Sequence, residues 1–418
     1  MDKMVVQGGF QLNGEVAVSG SKNSALPILF ATLLAKGKHR FKNVPHLQDI
    51  ASTQLLLQQL GCEVYWEESE LVVDVRDEAT YEASYDLVRK MRASVLCLGP
   101  LLARRKKAVV SLPGGCAIGS RPIDQHLEGF KALGADILLQ GGNVLASAHR
   151  LVGETVLFDG VTVGGTENVM MAACLAQGIT ILENAAKEPE IVDLANYLNK
   201  MGAKISGAGT SLIRIEGVSE LKPAEHTIIP DRIEAGTLLI AGAITGGEVT
   251  VTKCIPSHIG ALIKQMEECG FAIQASEQSI HLKKCSDWTA RDITTAPFPG
   301  FATDLQAQYM ALMTQADGTS VISENIFENR FMHVQELMRL GADITPKNRV
   351  AVVHGKKNGL TGAPVMATDL RASACLVLAG LVARGETAVS RIYHLDRGYE
   401  LLEKKLENLG AKVKRVAE

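Results

Sequence analysis

Glu190-Ile-Val-Asp-Leu-Ala-Asn-Tyr-Leu-Asn-Lys-Met-Gly202 has the apolar spacing of one helix face and stops on an apolar residue followed by glycine. Glycine reaches positive φ without a Cβ penalty, so Met201-Gly202 reads as a helix C-cap. Just beyond, Ser211-Leu-Ile-Arg-Ile-Glu216 alternates apolar and polar residues, as a strand with one solvated face does. The apolar-Gly pair recurs at Leu60-Gly61, Leu133-Gly134, Cys269-Gly270, Leu340-Gly341 and Leu409-Gly410, a period of roughly 70 residues. In phase with it, nearly all-apolar segments recur at 24–35, 93–103, 168–176, 235–244, 305–314 and 372–383. The pattern predicts six units, each of strand, helix, strand, helix, strand and strand.

Helices that are apolar all round have to be buried, whereas the strands at 211–216 and 279–284 show one polar face. The expected fold class is therefore α/β with two inverted domains, helices inside and sheets outside, each of three repeated units. An ordinary doubly wound fold would need strands apolar on both faces. The last unit stops one strand into its closing hairpin, at 412–416, and segments 4–7 and 15–19 carry the missing period-2 pattern. One domain is expected over 22–230 and the other over 1–21 plus 231–418, with the active site in the cleft between them.

Forty-three Lys and Arg against 46 Asp and Glu leave no basic excess for a nucleic-acid backbone, so no nucleic-acid partner is expected. No uninterrupted apolar run approaches the ~18 residues of a membrane span, and the start Met1-Asp2-Lys3-Met4 has no apolar signal core. A cytoplasmic protein is the expectation. The eight cysteines, at 62, 97, 116, 174, 254, 269, 285 and 375, form no C-x-x-C pair, which argues for reduced thiols and against structural zinc.

The chemistry gathers in the stretch 112–126, where Cys116 lies between glycines 114, 115 and 119, and Arg121-Pro122 precedes Asp124 at the start of a helix. Free N–H groups and the positive dipole end favour an anion there, placing a thiol beside an anion site. Equivalent junctions in the other units carry Lys22-Asn23, Arg92, Gly164-Gly165-Thr166, Arg232, Asp304 and Arg371 before the first helix. Before the second they carry Glu188, Arg330 and Arg397. Recurrence of cations at helix starts points to a ligand bearing phosphate and carboxylate groups.

The stretches Ser19-Gly-Ser-Lys-Asn-Ser-Ala-Leu-Pro27, Met91-Arg-Ala-Ser94, Pro113-Gly-Gly-Cys-Ala-Ile-Gly119, Glu188-Pro-Glu-Ile-Val-Asp193, Thr303-Asp-Leu-Gln-Ala-Gln308, Phe327-Glu-Asn-Arg-Phe-Met-His333, Ala367-Thr-Asp-Leu-Arg-Ala-Ser373 and Asp396-Arg-Gly-Tyr399 resemble the UDP-N-acetylglucosamine enolpyruvyl transferase family. The resemblance covers essentially the whole chain. Ser120 and Gln125 stand where alanine and leucine are familiar, and Ala302 where proline is; none removes a charged or nucleophilic group.

The resemblance implies transfer of the enolpyruvyl group of phosphoenolpyruvate to the 3′-hydroxyl of UDP-N-acetylglucosamine by addition and elimination, the first committed step of peptidoglycan synthesis. Cys116 would be the acid, Asp304 the base, and Lys22, Arg121 and Arg397 the clamp on phosphoenolpyruvate, with Asn23 holding the tetrahedral adduct. Arg92, the run Arg121, Pro122, Ile123, Asp124 and Gln125, and Asp304, Ile326 and Arg371 would bind substrate, with Val163 and Gly164 at the nucleotide phosphates. No metal or organic cofactor is expected, and fosfomycin would alkylate Cys116. Two rivals remain: transfer to shikimate 3-phosphate by a relative that lacks the cysteine loop, and a non-catalytic repeat protein that binds nucleotide sugar.

Overall fold

The computed structural model describes residues 2–76, 80–88, 91–112 and 123–417. All six repeat glycines carry positive φ, from 88° at Gly134 to 109° at Gly270. Each closes an amphipathic helix: Gln48–Gln59, Asp124–Ala132, Pro189–Lys200, Gly260–Cys269, His333–Arg339 and Leu402–Asn408. Only glycine holds that backbone without strain, so the dipeptide is a stop signal set by sterics.

Six further helices, one to each unit, are Lys22–Ala31, Leu98–Arg105, Val163–Ala173, Arg232–Ile244, Gln306–Met313 and Leu370–Val382. They are buried on nearly every side; every residue of Gln306–Met313 is buried. The strands lie outside them in four-stranded sheets. In one, Thr155–Leu157, Ile179–Glu183, Leu212–Glu216 and Lys204–Ser206 lie side by side in that order, the first pair parallel and the rest antiparallel. Ile213 and Ile215 point inward there, while Arg214 between them reaches solvent. This is the inverted α/β arrangement that the apolar helices and alternating strands require.

The chain ends are used differently from each other. Asp2–Gln7 lies antiparallel between Glu386–Ser390 and Lys412–Ala417, completing the last unit's sheet. Asn13–Ala17 does not join it. It runs parallel to Glu248–Thr252 as the outer strand of the fourth unit's sheet, which corrects the reading that gave both segments to the last unit. The turn between them prevents a hairpin: Leu12 is fully buried, and Gly8 packs so tightly that a Cβ would lie 2.0 Å from the Ala383 carbonyl oxygen. Reciprocally, Glu225–Thr227 runs parallel to Gly37–Lys42 in the first unit's sheet.

Contacts divide the described chain into two compact units, 20–229 and 2–19 with 230–417, each with its own apolar core. Gly20 and Ser21 go with the first unit. A Cβ at Gly20 would meet the Asn43 carbonyl oxygen at 1.7 Å, and the Ser21 amide donates to the Ile229 carbonyl at 2.7 Å.

Candidate functional site

In the unit 20–229, Ser21 caps the helix Lys22–Ala31 by accepting from the Ser24 amide, which sets Lys22 and Asn23 in its first turn. Lys22 Nζ lies 3.3 Å from Asp49 Oδ2, with both side chains largely buried. Behind them Ser24 Oγ donates to Asp193 Oδ2 at 2.5 Å, and His226 Nε2 meets Asp193 Oδ1 at 2.8 Å. Helix start and helix Pro189–Lys200 are thereby tied at one carboxylate.

The same unit carries Arg92 at the head of a 3₁₀ turn, Arg92–Cys97, close enough to lower the affinity of His126 for protons. Burial is the larger cause, and the two together bring His126 down to about 4, so it stands neutral with Nδ1 3.1 Å from the Asn168 amide nitrogen. Asp124 opens the helix Asp124–Ala132, exposed, just after the buried Ile123, and Gln125 Oε1 accepts from the Gly160 amide at 3.3 Å. Val163 and Gly164 open the helix Val163–Ala173, capped by Thr162. A Cβ on Gly164 would sit 3.2 Å from the His126 ring, so His126 backs this N-terminus. Cys116, Arg121 and Pro122 lie outside the described residues.

In the other unit Asp304 lies in the 3₁₀ turn Thr303–Leu305 and is gripped by two guanidiniums. Arg330 Nη2 donates to Oδ1 at 2.7 Å and Arg371 Nη2 to Oδ2 at 2.8 Å; both arginine side chains are about as buried as the core, at 4% and 5% exposed, while Asp304 keeps 27%. Burial works against the charge on Arg371, but Asp304, Tyr399 and Asp231 outweigh it and its pKa is raised. Arg371 also stacks 5.5 Å from the Tyr399 ring centroid, and its buried Nη1 has no hydrogen-bond partner among the described residues. Gln308 Nε2 donates to the Asp304 carbonyl at 2.9 Å and reaches the Tyr399 hydroxyl at 3.1 Å.

Arg397 ends the 3₁₀ turn Ile392–Arg397, half-buried. Its neighbour Asp396 is held by both terminal nitrogens of Arg415, and Glu400 accepts from Ser19 Oγ at 2.6 Å. Ile326 follows the strand Thr319–Ser323, and its amide donates to Glu324 Oε1 at 2.8 Å.

The structure thus brings Asp304 together with Arg371, and both with Arg330, a junction residue that the sequence reading gave no role. The sequence reading also missed Glu167, which is buried and whose pKa is raised by burial first and then by the charges of Glu190 and Glu188. A carboxyl inside an all-apolar helix was the available signal. Among the described residues, no group of three or more His, Cys, Asp and Glu could hold a metal ion. No helix among them is long and apolar enough to cross a membrane.

Inverted α/β units with buried helices inside and four-stranded sheets outside are the fold shared with solved enolpyruvyl transferases. The profile of EPSP synthase (3-phosphoshikimate 1-carboxyvinyltransferase) matches residues 6–406. The solved enolpyruvyl transferase NikO from Streptomyces tendae superposes with a TM-score of 0.89 at 25% identity, covering 100% of this chain and 99% of that one. EPSP synthase from Acinetobacter baumannii follows at 0.77 and 15% identity, covering 100% of both. The UDP-N-acetylglucosamine 1-carboxyvinyltransferase of Bdellovibrio bacteriovorus is 68% identical over 99% of this chain and 100% of its own length. The chain belongs to the UDP-N-acetylglucosamine 1-carboxyvinyltransferase family of enzymes.

Proposed function

We propose that the protein transfers the enolpyruvyl group of phosphoenolpyruvate to the 3′-hydroxyl of UDP-N-acetylglucosamine, releasing phosphate, and that it does so in the cytoplasm. The observation that carries this is the 68% identity, over the full length, with a relative of that name, against 15% with a solved EPSP synthase. Fifteen per cent supports a shared fold and nothing finer.

The site chemistry agrees with addition and elimination. Asp304 takes the proton of the attacking hydroxyl as oxygen bonds to C2 of phosphoenolpyruvate, while Cys116 delivers its thiol proton to the methylene carbon. In elimination the Cys116 thiolate takes a proton back from the new methyl group, the C2 bond to the phosphate oxygen breaks as the double bond returns, and the phosphate leaves with the proton held by Asp304. Lys22, Arg121 and Arg397 supply charge to the trianion, and such preorganised charge is commonly the largest catalytic contribution. Asn23 holds the adduct. Arg92, the run Arg121 to Gln125, Ile326, Arg371 and the helix start at Val163 and Gly164 take the nucleotide sugar.

Phosphate release from phosphoenolpyruvate, assayed with UDP-N-acetylglucosamine and with shikimate 3-phosphate separately, tests the proposal. Release with the nucleotide sugar alone is expected. Release with shikimate 3-phosphate alone, or with neither, would overturn it.

A further inference from the structure

Glu324 is 1% exposed at the end of the strand Thr319–Ser323, and it lies outside every role given above. Its Oε1 accepts from Thr295 Oγ at 2.9 Å, the Ile326 amide at 2.8 Å and the Phe327 amide at 3.1 Å. Its Oε2 accepts from Thr303 Oγ at 3.0 Å. All four partners are donors, which suits a carboxylate, an acceptor only. Thr295 extends the set, since its Oγ accepts from the Asn325 amide at 2.9 Å.

Two segments meet at this carboxylate. Thr303 is the residue before Asp304 and opens its 3₁₀ turn. Residues 325–327 carry Ile326 and lead on to Arg330, which grips Asp304. We propose that Glu324 is a positioning residue of the transfer reaction, fixing through Thr303 where Asp304 sits and through the 325–327 amides where Ile326 presents its carbonyl. The proposal rests on the functional reading above for the roles of Asp304 and Ile326. A shift of about 1 Å in a reacting group can cost roughly 10²-fold in rate, so a buried anchor one residue from the base has large leverage.

The two arms separate the proposal from simple structural support. Thr303→Val removes only the bond on the Asp304 side at nearly constant volume. It should lower kcat about 10- to 100-fold and leave the Kd for UDP-N-acetylglucosamine within about twofold. Thr295→Val loosens the other side and should chiefly raise that Kd, about tenfold, with a smaller loss of kcat. Glu324→Gln keeps an acceptor for the amides and should retain at least about tenfold more kcat/KM than Glu324→Ala. Rates are taken per folded enzyme, counted by circular dichroism and active-site titration, so poor folding does not enter. Parent-like kcat in Thr303→Val, or equal losses of kcat and affinity in both threonine variants, would overturn the proposal. A parent that turns over beside such variants leaves the functional reading standing; a parent inert toward UDP-N-acetylglucosamine overturns both.

Discussion

Asp304→Ala tests the clamp directly. The substitution takes a carboxylate from between two guanidiniums whose side chains are 4% and 5% exposed. Stranding a buried charge costs about 3–5 kcal/mol, and because Asp304 itself is 27% exposed, water enters the gap and about 2–3 kcal/mol is the reasonable figure. In a unit of this size that lowers Tm by about 5–10 °C. Loss of the base lowers turnover by roughly 10²- to 10⁴-fold. Formate supplies the missing group: at ten times its Kd it returns about 1.4 kcal/mol, half of the loss. Differential scanning fluorimetry of parent and variant across a formate series reads the first effect, and phosphate release reads the second. A variant with the parent's Tm, indifferent to formate, would refute the clamp; one with the parent's turnover would refute the base.

Acid should unfold the protein before its carboxylates titrate. Burial brings His39 and His126 down to about 4 and pushes His333 the same way, so unfolded chains bind protons that the native state refuses. That stability is complete above about pH 6.5 and falls as pH drops toward 4, by up to about 3 kcal/mol for each histidine; equal urea midpoints at pH 7 and 5 would contradict it. Arg397→Lys keeps charge but loses the bidentate fork, and should raise the KM for phosphoenolpyruvate and lower turnover, with near-normal kinetics counting against the assignment. Cys116→Asp should outperform Cys116→Ser, which should lose roughly 10²- to 10⁴-fold, because a serine hydroxyl is too weak an acid. Fosfomycin should alkylate Cys116 in the parent. Burial pushes Cys62, Cys97 and Cys174 up to about 12, which removes them as competitors, so an adduct on the half-exposed Cys285 by mass spectrometry would be the contrary result.

Much of the fold was legible because it rests on local rules repeated six times. A glycine after each second helix is forced by positive φ, and helices apolar all round have one place to go. The destination of Asn13–Ala17 was not legible, since a period-2 strand says nothing about its partner; the tight packing of Gly8 and Leu12 decides that. At the candidate site the sequence supplies residue types and phase. It gives Asp304 and Arg371 as helix-start residues, but that both oxygens of Asp304 are taken by guanidiniums depends on how Arg330 returns from the loop at 324–332. Glu324 escaped for the opposite reason: at the end of a strand a buried carboxylate looks like any surface one until its neighbours are known.

The acceptor is identified most directly by mass spectrometry of the product formed from phosphoenolpyruvate when UDP-N-acetylglucosamine and shikimate 3-phosphate are offered together at equal concentration. The expected product is the nucleotide sugar with one enolpyruvyl group on its 3′-oxygen, matched by equimolar phosphate, with the shikimate 3-phosphate unchanged. Enolpyruvyl shikimate 3-phosphate, or both acceptors returned intact, would contradict it.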